Sequence, residues 1–175
     1  MSNYEYYKEL LNNSYSEVVE FLLEKYGEAQ DDYFREKSYQ KFLNGKIKSI
    51  TKGKISRTGE GLYCHHIDEN KFLNIGNTMF IKEYSIPFDS QKRDRLVYCD
   101  LIEHCILHVL ISVETNGEYG LPGFEVFLKP MVKEWYIDEY IPQLKWQRNC
   151  YDKSFLKIQE TIELLEDMEE VLEKI

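Results

Sequence analysis

Apolar residues recur at helical spacing in several stretches of the chain. Val18, Val19, Leu22, Leu23 and Tyr26 follow a three-to-four residue period, and Gly27 closes the run. Ser14 and Glu17 stand ahead of it as Ser-x-x-Glu, the spacing of a capping box. Tyr33, Phe34, Tyr39 and Phe42 predict a second helix over about 31–43, with Gly45 at its end. The period then changes. KIKSITKGKISRT alternates isoleucine with lysine or serine, which predicts short strands or an extended arm. GLYCHHI reads as a strand entering a turn at Asp68–Asn70. Of the next stretch, NKFLNIGNTMF reads as loop, IKEYSI as a short strand and PFDSQKRD as a polar loop. RLVYC is a compact apolar strand, and Asp100 with Glu103 starts a helix over 101–114. Apolar residues cover most of that helix's circumference, so it should be buried. NGEYGLPG is a loop by composition, and the helix beyond it is expected to be interrupted near Pro130 and Pro142. From Asp152 onward Phe155, Ile158, Ile162, Leu165, Met168 and Leu172 predict one long amphipathic helix.

These elements make an α+β chain. They divide it into an N-terminal helical flank (1–45), a central core (46–115) and a C-terminal helical flank (116–175), together one compact unit. The chain has 175 residues, enough to bury a core without disulfides. No apolar run is long enough to span a membrane, and the N-terminus shows no secretory pattern, so a cytoplasmic location is expected. Cys64, Cys99, Cys105 and Cys150 form no CxxC pair and are expected as core residues.

Net charge is −9, which excludes a surface basic all over. The charge is uneven. Lys41, Lys46, Lys48, Lys52, Lys54 and Arg57 fall in one stretch with no acidic residue. A solvated arm and a phosphate-contacting arm are both consistent with that run. The C-terminal stretch is strongly acidic.

The four histidines stand in two tight pairs: His65 with His66, and His104 with His108. Residues four apart on a helix share a face, so His104 and His108 can reach one point. Neutral imidazole is a common ligand of divalent metals. Neighbouring strand residues face opposite ways, so one of His65 and His66 can ligate while the other faces substrate. A structural zinc site recruiting Cys64, Cys99 or Cys105 is an alternative use of the same histidines.

HHID, a variable loop and then RLVYCDLIEHCILH resemble the HNH, or ββα-metal, nuclease motif, and most closely that of the colicin-type DNases. The resemblance covers residues 60–112. It implies a small ββα-metal core between the helical flanks and one divalent ion (Mg, Mn, Zn or Ni) held between strand and helix. By position, His65, His104 and His108 are its ligands, and His66 is the general base that activates water. The activity implied is metal-dependent hydrolysis of DNA phosphodiester bonds, as in short phage or mobile-element enzymes. Lys46, Lys48, Lys52, Lys54 and Arg57 are then the expected phosphate contacts. The family's asparagine braces the loop of the histidine pair, but nine residues before His104 this chain has Arg95. Arginine only donates hydrogen bonds, so Arg95 is expected to clamp a phosphate or hold loop carbonyls, unless Asn70, Asn74 or Asn77 supplies the brace. A homodimer through the C-terminal helix would pair two sites. The alternative from a different class is a non-catalytic, metal-binding protein on the same scaffold. Its acidic ends would dock a partner protein or mimic nucleic-acid charge.

Overall fold

A computed structural model describes residues Met1–Ile175. The fold is α+β: helices surround a two-stranded antiparallel sheet. Helices α1 (Asn3–Leu11) and α2 (Tyr15–Tyr26) both start on capping boxes, Ser2 with Glu5 and Ser14 with Glu17. The sheet pairs β1 (Tyr63–His66) with β2 (Leu96–Cys99), in a register that sets His65 opposite Val97 and His66 opposite Leu96. One residue after β2, Asp100 caps the long helix α5 (Leu101–Glu114) and Glu103 bonds back to its N–H. Helices α3 (Glu36–Leu43) and α4 (Thr78–Glu83) lie on the stretches flanking β1.

The helix α5 is central. Leu101, Ile102, Ile106, Leu107 and Val109 are almost fully buried in one core with Tyr7 and Leu22 of the first two helices. Trp135, Leu164 and Met168 from the C-terminal half complete that core. A second, smaller core joins Phe34, Tyr39, Phe42, Ile50, Ile75, Ile81, Ile86 and Phe88. The expected boundary at residue 45 therefore moves. The helices α1 and α2 belong to the main core, while α3 packs with the segment that follows it.

Four expectations are corrected. The second helix begins at Glu36, because Tyr33 is drawn into backbone bonds: its N–H donates to Gln91 O and its carbonyl accepts from Gly53 N–H. IKEYSI is not a strand. Asn77 Oδ1 accepts the Met79 N–H and caps α4. Helix α6 (121–137) runs through Pro130 without a break. Two wide π turns, Phe124–Leu128 and Lys133–Ile137, flank the proline, which sits in the first turn of the α-helical stretch Lys129–Val132, where a missing N–H is tolerated. The C-terminal helix is two: α7 (Lys145–Lys153) and α8 (Ile158–Leu172), with Ser154 buried at the break and bonded to Tyr136 Oη.

The segment 46–57 is an extended arm with only isolated bridges, Phe34 to Lys52 and Arg57 to Leu62. Leu164, Leu165 and Met168 of α8 pack on the chain's own α1 and α5, so the apolar face offered to a second copy is already covered. No helix is long and apolar enough to cross a membrane.

Candidate metal centre

His65 leaves β1 toward α5, and His104 and His108 face it one turn apart. Their ring centroids lie 5.2 Å (His65–His104), 5.5 Å (His65–His108) and 4.9 Å (His104–His108) apart. A fourth group joins them. The short turn Ile67–Asn70 after β1 brings Glu69 in, and its Oε2 lies 2.9 Å from His108 Nε2 and 3.8 Å from His65 Nδ1. One donor atom from each of His65, Glu69, His104 and His108 lies within 4.8 Å of the others. Donors at ~2.0–2.1 Å from one ion lie at most ~4.2 Å apart, so the four side chains must draw in slightly to close on it.

The surrounding hydrogen bonds fix which ring nitrogens are bare. Tyr15 Oη donates to Ile67 O at 2.8 Å, so its oxygen accepts from His65 Nε2–H at 3.0 Å. His65 Nδ1 is left with a lone pair, buried and without a hydrogen-bond partner. Such an orphan costs roughly 1–3 kcal/mol unless something satisfies it. His108 Nδ1–H donates to Gly120 O at 3.0 Å, leaving Nε2 bare against the Glu69 carboxylate. Two lone pairs at 2.9 Å repel unless a proton or a cation lies between them. Three imidazoles and one carboxylate thus converge with free lone pairs, and the donor set fits a divalent ion.

The electrostatics agree. Burial pushes His65 down to about 3, and burial with its histidine neighbours pushes His104 well below its ordinary range, so both are neutral ligands. Burial also lowers His108, but the Glu69 carboxylate outweighs it and leaves the group raised. For Glu69, burial raises the carboxyl, and the three imidazoles outweigh that and hold it far below its usual range.

His66 points to the other side of β1 and is not part of this cluster. Its ring lies 4.3 Å from that of Tyr33, and its Nε2 is 2.7 Å from Gln91 Oε1. Gln91 Nε2 donates to Ile75 O at 3.1 Å, so Gln91 Oε1 accepts and His66 carries its proton on Nε2. His66 Nδ1 is not engaged by Gln91. The residue as a whole is 3% exposed, and burial lowers its basicity.

Arg95 holds neither a loop carbonyl nor an open phosphate position with its bonded nitrogen. Its Nη2 bonds the Asp68 carboxylate, which also accepts Ser90 Oγ–H at 2.8 Å. The loop after the histidine pair is thus braced by an ion pair where the resembled family uses an amide. Asn70 bonds Glu114 and Asn77 caps α4, so neither is the brace. Lys46, Lys48, Lys52 and Lys54 are exposed. Arg57 is not free for phosphate. It binds both oxygens of Glu60, donates to Tyr26 O and lies over the Tyr98 ring. The cysteines are all unpaired thiols outside the metal cluster.

Sequence reasoning missed Glu69, although it stands four residues after His65 in HHIDEN, a usable signal. It also missed Gly123. A Cβ there would meet His108 Cε1 at 2.5 Å and Nδ1 at 2.6 Å, so only glycine lets α6 lie against that ring. Comparison of the chain with family models, with curated proteins and with solved structures returns no match.

Proposed function

We propose that this protein is a metal-dependent DNA endonuclease built on a ββα-metal core. One observation carries the reading: His65 from the first strand and His104 and His108 from the following helix converge with free lone pairs, while the adjacent His66 is turned away with its tautomer fixed by Gln91. A strand pair followed directly by the ligand helix is the order that the resembled nuclease motif has. A bound divalent ion supplies Lewis-acid stabilisation of charge developing on phosphoryl oxygens. Three imidazole nitrogens favour zinc or nickel over magnesium.

The chain's own residues divide the remaining work. His65, Glu69, His104 and His108 hold the ion. Tyr15 and Gly120 orient two of the imidazoles. His66 accepts a proton from water at Nδ1, the nitrogen that Gln91 leaves free. Lys46, Lys48, Lys52 and Lys54 offer charge to flanking phosphates without reading sequence. Arg95 keeps the Ile67–Asn70 turn, and with it Glu69, in place through Asp68.

The test is nicking of supercoiled plasmid with Mn²⁺, Zn²⁺, Ni²⁺ or Mg²⁺. His66→Ala should retain metal and lose ~10²–10⁴-fold in rate, the usual contribution of a general base. His65→Ala should lose metal and activity together. A second reading is a non-catalytic metal-binding protein that binds a partner, favoured by the 3% exposure of His66. Stoichiometric metal with no nicking under any ion selects that reading.

A further inference from the structure

The metal cluster lies at the floor of a cavity of about 440 Å³, within the size range of small-ligand sites. Glu69, His104 and His108 form that floor. The walls are Phe72, Leu73, Phe80, Val126, Phe127 and Leu128, and no lysine or arginine lines them. The donors are recessed: the side chain of Glu69 is 18% exposed and that of His108 is 10% exposed. The rim is not: Val126 is 61% and Phe127 64% exposed. Both rim residues sit on the π turn Phe124–Leu128. A wide turn of this kind, costly in an ordinary helix, is often found at functional sites.

Such walls do not suit an intact duplex. A phosphate within a duplex is flanked by other phosphates, and these would meet phenylalanine rings in place of cations. The donors are also less exposed than the apolar rim around them. An unpaired nucleotide satisfies both constraints. Its phosphate can reach the floor while its base turns onto the aromatic walls, and stacking on a ring face is indifferent to sequence. The cationic side chains of the 46–54 arm stand outside the cavity, and Lys52 lies over the Tyr33 ring beside His66.

We infer that the cavity is a base-stacking subsite, and that the substrate is unpaired nucleic acid, a single strand or an extruded base, with Phe127 as its principal platform. The inference rests on the nuclease reading for the phosphate and on the cavity for the base. The closing experiment reads binding and cutting separately. The wild-type protein with Mn²⁺ is titrated with fluorescein-labelled oligothymidylate carrying phosphorothioate linkages, which slow hydrolysis. The same strand annealed to oligodeoxyadenylate is the comparison, and anisotropy is the readout. Unmodified strands of both forms are assayed for cutting.

The single strand should bind at least about tenfold more tightly than the duplex. Phe127→Ala should remove about tenfold or more of that affinity, in the range of one lost base–aromatic stack. Calorimetric Mn²⁺ affinity of Phe127→Ala should be unchanged. Equal binding of duplex and single strand, or single-strand binding indifferent to Phe127→Ala, overturns the inference. Selective single-strand binding with no cutting of either form overturns the nuclease reading and leaves the subsite standing.

Discussion

Gly123→Ala is a substitution of one methyl group, remote from the metal in sequence, that should loosen the metal. The new Cβ would lie 2.5 Å from His108 Cε1 and 2.6 Å from its Nδ1, whereas ordinary contact begins at 3.4 Å. The imidazole is rigid, so the ring or the helix must retreat by roughly an ångström. Two bonds limit the ring's retreat: Nδ1–H to Gly120 O at 3.0 Å, and the 2.9 Å approach of Nε2 to Glu69. Gly120 lies close against α5, since an added Cβ there would sit 2.3 Å from His108 O. Overpacking of this kind costs ~1–3 kcal/mol of stability. Disturbing the support of one ligand costs ~10–100-fold in metal affinity. Isothermal titration with Zn²⁺ and with Mn²⁺ measures the second quantity, and thermal melts of metal-free protein measure the first. Gly59→Ala is the control, because nothing lies within 4 Å of a Cβ at that position. Wild-type affinity in Gly123→Ala, with the melting loss present, would refute His108 as a ligand. No melting loss at all would refute the packing argument.

Tyr15→Phe removes the oxygen that accepts His65 Nε2–H and should weaken metal binding ~10–100-fold while the fold survives; the same titration checks it. Glu69→Gln should weaken Mn²⁺ binding more than Zn²⁺ binding, because zinc is better served by the three remaining nitrogens, and competition between the two ions reads the difference. Asp100 is pushed up to about 7 by burial and by Glu103 beside it, while its ordinary value is near 4. A raised acid binds its proton more tightly folded than unfolded, so its contribution is greatest below ~4 and is lost as pH rises through about 7. Melts of metal-free protein should show that component rising on acidification from about pH 8 to about pH 5, and Asp100→Asn should remove it.

Much of the frame was legible in the sequence because it depends on local signals. Asp100, Glu103 and the apolar run after them define α5 to within its observed ends, Leu101–Glu114. Ser14 and Glu17 do the same for the start of α2. The two histidine pairs announced that three of the four rings could meet. What escaped depends on contacts across the chain. Gln91 lies in a stretch that reads as polar loop, yet it is fully buried, because its amide bridges His66 and Ile75 O. Phe72, Phe80 and Phe127 come from separate segments, and nothing in any one of them predicts a shared cavity. Arg95 looked like a departure from the resembled motif. Only the position of Asp68 shows how an ion pair takes the place of an amide brace.

The clasp between the chain's first and last helices has a consequence for the order of folding. Asn3 Nδ2 donates to Phe155 O at 3.3 Å, Tyr4 Oη to Glu163 at 2.9 Å, and Lys8 pairs with Asp167 at 3.1 Å. Both clasping helices also pack on α5, the ligand helix. The strand pair and α5 can associate through contacts nearer in sequence, but the clasp itself closes only when segments about 150 residues apart meet. Contacts of such separation carry the largest loop-closure cost and slow folding. Docking of α8 should therefore come late in folding, after the strand pair and α5 have associated, and because all four ligands lie within residues 65–108, metal added during refolding should be captured before that step.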